Sequence, residues 1–241
     1  MSSYVRTFNR FELKFLLHHT QAREFVDRIS AHVDFDEHAG DNGFYKVVSR
    51  YYDSRGLMCY WEKVDGEKYR RKVRIRTYGT HPDDAFVEIK QRYNLTVQKR
   101  RVRVPLPVAE DEFAKMDAGD YTSDVDTVFD EVFNLRRRYR LEPKLIVSYN
   151  RAAFFDRYKH DLRITLDRNI RCRNLDLDLA TKRSVGPWAV PPTHLVLEVK
   201  FNEQAPRWIC TVLNALDLQV VRLSKYCEGI ERMNMQMRTR E

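Results

Sequence analysis

Between Lys68 and Arg76 every even position is basic, Lys68, Arg70, Lys72, Arg74 and Arg76, while the odd positions include Tyr69, Val73 and Ile75. A repeat of two residues marks a β-strand whose two faces meet different surroundings. The same alternation returns along the chain. Glu88, Lys90 and Arg92 stand opposite Val87 and Ile89, and Lys99, Arg101 and Arg103 opposite Val102, Val104 and Leu106. Arg163, Thr165 and Asp167 stand opposite Leu162, Ile164 and Leu166, and Glu198 and Lys200 opposite Leu195, Leu197 and Val199. In Arg6–Phe15 the apolar positions are Phe11, Leu13 and Phe15, with Arg10, Glu12 and Lys14 on the other face. With Lys46–Tyr52 and Leu145–Ala153 the strands number about eight.

Two architectures satisfy strands with one apolar and one charged face. An ordinary antiparallel sheet packs its apolar face on helices and solvates its charges. A closed barrel turns its charged faces inward and covers the apolar ones with helices. Runs of like charge favour the second, because like charges on neighbouring strands repel unless an anion lies between them. Helices fit between the strands: one capped by Thr20, a short one within Asp53–Val64, one in Thr122–Arg138, one from Pro206 to Leu216 and a last one capped by Ser224. No Gly- or Pro-rich linker divides the chain, which reads as one domain over residues 1–241.

Charge then bears on the partner. The 241 residues carry 43 Lys and Arg against 35 Asp and Glu, a net charge of +8. An anionic partner follows, but nucleic acid, acidic lipid and phosphorylated small molecules all answer to it. The start MSSYVRTFNR lacks the apolar segment of a secretory signal, and no stretch approaches a membrane span. Cys59, Cys172, Cys210 and Cys227 have no zinc-ligand spacing and suit a reducing, cytoplasmic setting.

Glu12, Glu88 and Glu198 are each followed two residues later by a lysine on the same strand face. An E-x-K pair offers one carboxylate to a divalent cation and one ammonium to a phosphate oxygen. Motifs for nucleophilic hydrolysis, a Walker A loop and dinucleotide binding are all missing. Phosphoryl transfer needs none of them, since positioning and charge neutralisation supply most of its catalysis.

Eight segments occur in one order: Arg-Phe-Glu-Leu-Lys-Phe (10–15), Ser-Arg-Tyr-Tyr-Asp-Ser (49–54), Lys-Val-Arg-Ile-Arg-Thr-Tyr (72–78), Val-Glu-Ile-Lys (87–90), Tyr-Asn-Arg-Ala-Ala-Phe (149–154), Leu-Arg-Ile-Thr-Leu-Asp (162–167), Leu-Glu-Val-Lys (197–200) and Leu-Ser-Lys-Tyr (223–226). From Thr7 to Ile230 the chain thereby resembles the vacuolar-transporter-chaperone (VTC) domain, the polyphosphate polymerase branch of the triphosphate tunnel metalloenzymes. The resemblance implies an α+β fold with a closed eight-stranded antiparallel barrel. It also implies transfer of the γ-phosphoryl group of ATP to a growing polyphosphate chain with Mn2+ or Mg2+. Carried over by motif, Lys14, Lys72, Arg74, Arg76, Lys90, Arg151, Arg163, Lys200, Ser224 and Lys225 contact phosphates, joined by Lys99 or Arg101. Glu198 holds the metal, with Glu12 and Glu88 as further possibilities, and Tyr52 lines the bore. The catalytic set is Arg74, Arg76, Glu198 and Lys225.

Hydrolytic and cyclase members of the wider superfamily carry E-x-E-x-K in the first strand; here Arg10 replaces the first glutamate. Fewer carboxylates favour handling of a long polyanion over simple hydrolysis. A tripolyphosphatase using the same tunnel and a non-catalytic polyphosphate or nucleic-acid binder remain alternatives. Nucleic acid is the less expected ligand, because the tyrosines alternate into apolar faces or sit at strand ends. Any membrane coupling comes from a partner protein.

Overall fold

The computed structural model describes residues 10–36, 43–79, 82–94, 96–119, 121–158, 161–181 and 186–238. The expected strand start at Arg6 and the loop residues 40–42 lie outside the described residues. In chain order the elements are β1 (Arg10–His18), α1 (His19–Ile29), β2 (Val33–Phe35), β3 (Tyr45–Asp53), α2 (Met58–Val64), β4 (Tyr69–Tyr78), β5 (Asp84–Tyr93) and β6 (Thr96–Pro105). There follow α3 (Leu106–Asp117), α4 (Thr127–Tyr139), β7 (Glu142–Asp156), β8 (Arg163–Arg173), β9 (His194–Asn202), α5 (Arg207–Ala215) and α6 (Lys225–Arg238).

The chain forms two compact units, Met1–Tyr45 with Asn150–Asn169 and Val190–Leu223, and Lys46–Tyr149 with Ile170–Ala189 and Ser224–Glu241. Strands β7 and β8 contribute residues to both. In the first unit β1 pairs antiparallel with β9, β9 with β8, and β2 with the end of β7. The core there joins Phe15 and Leu17 of β1 and Leu197 and Val199 of β9 to Phe25 and Ile29 of α1 and Ile209 and Leu213 of α5. Those helix residues recur four apart, so each helix buries one stripe.

In the second unit β3, β4, β5 and β6 pair as consecutive antiparallel neighbours. Val73, Ile75, Val87 and Ile89 share one sheet face and pack with Phe113 and Met116 of α3 and Phe129 and Val132 of α4. The basic positions occupy the opposite face, as a period of two requires.

The α+β class and antiparallel pairing hold, whereas closure does not. The strand path is β1-β9-β8-β7-β3-β4-β5-β6, with β1 and β6 as its ends. The closed eight-stranded barrel is therefore replaced, among the described residues, by an open path. An edge strand carrying Lys99, Arg100, Arg101 and Arg103 resists a further neighbour unless an anion sits beside it.

Helix starts differ from the sequence pattern where pairing decides them. Strand β1 stays paired through His18↔His194, so α1 begins at His19 with His18 as its cap, and Gln21 Oε1 accepts the His18 backbone N–H at 3.0 Å. Thr20 already lies inside the helix. Helix α3 adds to the expected set; Pro107 in its first turn and buried Leu106, Ala109, Phe113 and Met116 at helical spacing are its signals. Strand β2 is three residues long and rests on its distant partner Phe154–Asp156.

The four cysteines are free and all but Cys210 are buried. Among the described residues no helix is long and apolar enough to cross a membrane. Gly186 sits at φ +111°, and a Cβ there would stand 2.0 Å from the Cys172 carbonyl oxygen. The same turn carries the Arg171↔Trp188 bridge and the Cys172 N–H to Pro187 carbonyl bond of 3.0 Å. Gly186→Ala is expected to cost more than about 1 kcal/mol, lowering the melting temperature by at least ~2 °C in a chain of this size. A thermal melt checks it; an unchanged midpoint would show that the turn tolerates a side chain.

Candidate functional site

The register across β4, β5 and β6 stacks the basic positions into rows. Lys72 faces Lys90, which faces Lys99; Arg74 faces Glu88, which faces Arg101; Arg76 faces Phe86, which faces Arg103. Arg70 and Arg92 continue the same face toward the β5–β6 turn. Nine cations thus share a face with two carboxylates, Glu88 and Asp84. Its centre is not solvated: Arg76 is 6% exposed and Glu88 1%. Burial of charged groups is costly unless partners or a ligand compensate it.

Those partners are specific. Arg74 Nε donates to Glu88 Oε2 at 2.6 Å and Nη1 donates to the Tyr51 hydroxyl at 3.0 Å. Arg76 Nε donates to Ser49 Oγ at 2.9 Å. Lys99 pairs with the other Glu88 oxygen. Burial would raise the Glu88 carboxyl, but Arg74, Arg76 and Lys99 outweigh it and hold the group well below the usual carboxylate range. Burial pulls Lys99 down; Glu88 opposes that, Arg74 and Arg76 add to it, and the ammonium sits at about 8.

Helix α6 delivers a second group to this unit. Ser224 caps it: its Oγ accepts the Cys227 N–H at 3.4 Å and the Lys72 ammonium at 2.8 Å. Lys225 is 9% exposed, with its ammonium 5.1 Å from the Tyr149 ring centroid. The start of α6 is anchored by Asp53, which is fully buried. Its carboxylate accepts from the Tyr226 hydroxyl at 2.5 Å and from the Ser54, Cys59 and Tyr60 backbone N–H groups at 2.7, 2.8 and 3.1 Å. One buried carboxylate therefore fixes both α2 and the Ser224–Lys225 turn.

In the other unit two E-x-K segments run antiparallel, so that Glu12 lies opposite Lys200 and Lys14 opposite Glu198. The result is a checkerboard: Lys14 is 3.1 Å from Glu12 and 3.8 Å from Glu198, and Lys200 is 3.1 Å from Glu198 and 3.9 Å from Glu12. Arg151 reaches Glu198 at 4.0 Å and is gripped by Asp167 through Nε at 2.7 Å and Nη2 at 2.8 Å. Arg163 lies 3.4 Å from Asp36. Lys14 also donates to the Leu223 carbonyl at 3.2 Å. Among the described residues no three His, Cys, Asp or Glu side chains form a metal cage. Glu198 and Glu12 are hard oxygen donors of the kind that holds Mg2+ or Mn2+ jointly with substrate phosphates.

The structure thus gathers Lys72, Arg74, Arg76, Lys90, Lys99 and Arg101 on one sheet face with Ser224 and Lys225 in the same unit, and Lys14, Arg151, Arg163, Glu198 and Lys200 in the other. The geometry bears on two of these residues. Tyr52 does not join Arg74 and Arg76; it lies opposite Val73 in the register, packs on Phe113 at 4.9 Å and accepts a bond from Arg50. Adjacent residues of a strand point to opposite faces, so the tyrosine beside Arg74 is Tyr51. Glu88 pairs one oxygen with Arg74 and the other with Lys99, and so supports both cations. Tyr51, Asp53 and Asp167 join the site without a sequence signal of their own, beyond lying in segments that carry the resemblance.

A solved structure shares the fold: a candidate adenylate cyclase of Bacillus halodurans matches 90% of this chain and 95% of its own at 13% identity and a TM-score of 0.50. The PH1819 protein of Pyrococcus horikoshii matches 92% of this chain and 99% of its own at 15% identity and a TM-score of 0.46. No curated protein matches the chain in sequence. The VTC domain model matches residues 9–234, and the chain belongs to the VTC domain family.

Proposed function

We propose that the protein is a polyphosphate polymerase that transfers the γ-phosphoryl group of ATP to the end of an inorganic polyphosphate chain. The observation that carries this reading is the excess of positive charge on the β4–β6 face, nine cations against two carboxylates, around a centre where Arg76 and Glu88 are almost fully buried. A solvated sheet face would leave such groups in water, and a protein ligand would bring too few negative charges per ångström. A chain of phosphates brings about one per unit.

Each unit contributes by its own chemistry. In one, Arg74, Arg76, Lys72 and Lys225 neutralise phosphoryl oxygens, with Lys90, Lys99, Arg101 and Ser224 extending the grip. In the other, Lys14, Arg151, Arg163 and Lys200 bind phosphate, and Glu198 with Glu12 would hold a divalent cation. When bound, that ion spreads the charge that develops on the transferred group. A terminal phosphate oxygen of the chain bonds to the γ-phosphorus as the bond from that phosphorus to the bridging oxygen breaks, and ADP departs with the bridging oxygen. The attacking oxygen is already ionised near neutral pH, so no side chain has to take a proton. Arginine forks suit this role because they present paired N–H groups to phosphate oxygens.

The test is incubation of the purified chain with ATP and manganese or magnesium, followed by separation of polymer from free phosphate. A long product that exopolyphosphatase degrades is expected. Free phosphate alone would replace this reading by tripolyphosphatase activity. Failure of tripolyphosphate to displace ATP, with preference for an oligonucleotide, would replace it by nucleic-acid binding.

A further inference from the structure

Tyr51 lies at the meeting point of the two phosphate-facing groups of its unit. Its hydroxyl accepts from Arg74 Nη1 at 3.0 Å, while Glu88 takes Nε at 2.6 Å. The Nη2 edge of Arg74 makes no hydrogen bond among the described residues. Partners on two different nitrogens of a planar fork fix its orientation and leave the N–H groups of the third for a ligand. The ring of Tyr51 lies 5.1 Å from that of Tyr226, which stands next to Lys225 in α6 and under the Lys72 ammonium at 5.3 Å. Tyr226 is tied in turn to Asp53. One 6%-exposed side chain therefore contacts both the β4 arginine and the first turn of α6.

We propose that Tyr51 is a positioning residue of the phosphate site: its hydroxyl holds the Arg74 guanidinium with the Nη2 edge presented to a phosphate oxygen, and its ring seats Tyr226 and hence the Ser224–Lys225 turn. This rests on the phosphate reading of the β4–β6 face. The role is stronger than packing because the hydroxyl answers to the same charges as the ligand. Burial would raise the phenol, but Arg74, Arg76 and Lys72 on β4 outweigh it and bring it to about 8. Below that pH the neutral phenol orients Arg74 without cancelling its charge. Above it the phenolate neutralises Arg74 and competes with phosphate. A bound polyanion satisfies the same three cations and so pushes the phenol back up, which by linkage makes binding weaken as pH rises through about 8. The other ionisable groups around this cluster include Glu88 on β5, Lys99 on β6, Tyr149 on β7 and Lys225 and Tyr226 on α6; Lys99, also near 8, loses its charge in the same range.

The experiment compares tripolyphosphate binding by the full-length wild type and Tyr51→Phe, by calorimetry from about pH 6.5 to about pH 9.5. Near neutrality Tyr51→Phe is expected to bind about 3–10-fold more weakly, the scale of one oriented hydrogen bond. The gap should close above about pH 8, since only the wild type forms a phenolate there; Lys99 is common to both proteins and cancels. In parallel, the ultraviolet phenolate band of the wild type, minus that of Tyr51→Phe, should show a tyrosine ionising near pH 8 that moves upward with tripolyphosphate. Equal affinities at every pH, or a phenolate titration that tripolyphosphate leaves in place, would overturn the role of Tyr51 while leaving the phosphate site standing. Absence of tripolyphosphate binding by the wild type would overturn both. Should the variant fold poorly, the wild-type titration with and without tripolyphosphate carries the same test, since Tyr51 is the phenol expected to ionise near pH 8.

Discussion

Glu198→Gln is expected to reduce polymer synthesis by about 10–100-fold, the range in which disturbance of a metal's surroundings is felt, while tripolyphosphate binding is kept or tightened. Glu198 is 6% exposed and faces three cations, Lys14 at 3.8 Å, Lys200 at 3.1 Å and Arg151 at 4.0 Å. If its function is to hold a divalent cation against the phosphates, the amide removes that ligand without changing shape. If it merely balances the three cations, the amide leaves more positive charge for the polyanion and synthesis survives. Binding alone does not separate these, because it holds or tightens either way; turnover does. Manganese dependence is the companion measurement, since a weakened metal site should shift activity to higher metal concentration. Synthesis at the wild-type rate with unchanged metal dependence would remove Glu198 from that role.

Arg74→Ala should weaken tripolyphosphate binding by about 10–100-fold, the loss of a charge-assisted hydrogen bond or two, with turnover falling in step. It should also destabilise the fold. Glu88 is 1% exposed and would keep its ion pair with Lys99 and the field of Arg76, and removing one partner of a buried pair costs up to about 3–5 kcal/mol; the surviving cations reduce that to roughly 1–3 kcal/mol. The pH dependence has a definite sign. Glu88 is depressed in the folded state, so its stabilisation is present above the unfolded carboxylate range and is lost as pH falls toward the folded value. Without Arg74 the folded value rises, so acid destabilisation should begin at higher pH. Adding Glu88→Gln should restore much of the stability and none of the binding. Melting curves at neutral and mildly acid pH, beside binding of tripolyphosphate, check both parts. A double variant that regains binding would show that Arg74 acts only as a counter-ion.

The sequence is most legible where one physical rule governs many residues. Alternation places Lys72, Arg74, Arg76 and Lys90 on one face without any knowledge of register, because neighbours in a strand must point in opposite directions. It equally places Lys99 and Arg101 together and leaves open which one serves Glu88. The register sets Arg101 directly opposite, yet the flexible Lys99 makes the ion pair from the next row. Helix stripes are legible for the same reason. Helix α3 is harder to see because its first turn follows directly on β6, with only Pro107 to mark the change.

What stays hidden depends on partners distant in the chain. Tyr51 and Tyr52 are adjacent and chemically alike, and only pairing with β4 assigns one to Arg74 and the other to the apolar core. Asp53 and Tyr226 are separated by 173 positions and share a hydrogen bond of 2.5 Å, which local pattern does not encode. Nor does it encode the pairing of Glu88 with two cations from neighbouring strands.

The sequence by itself determined which residues share a face and that those faces are basic, since both follow from a period of two and the identity of each side chain. Only the tertiary structure decided which charges are buried, which carboxylate balances each, and that the strand path ends at β1 and β6. Burial and ion pairing depend on register and on residues brought together from far along the chain, and a charge's energy is set by its surroundings as much as by its sign.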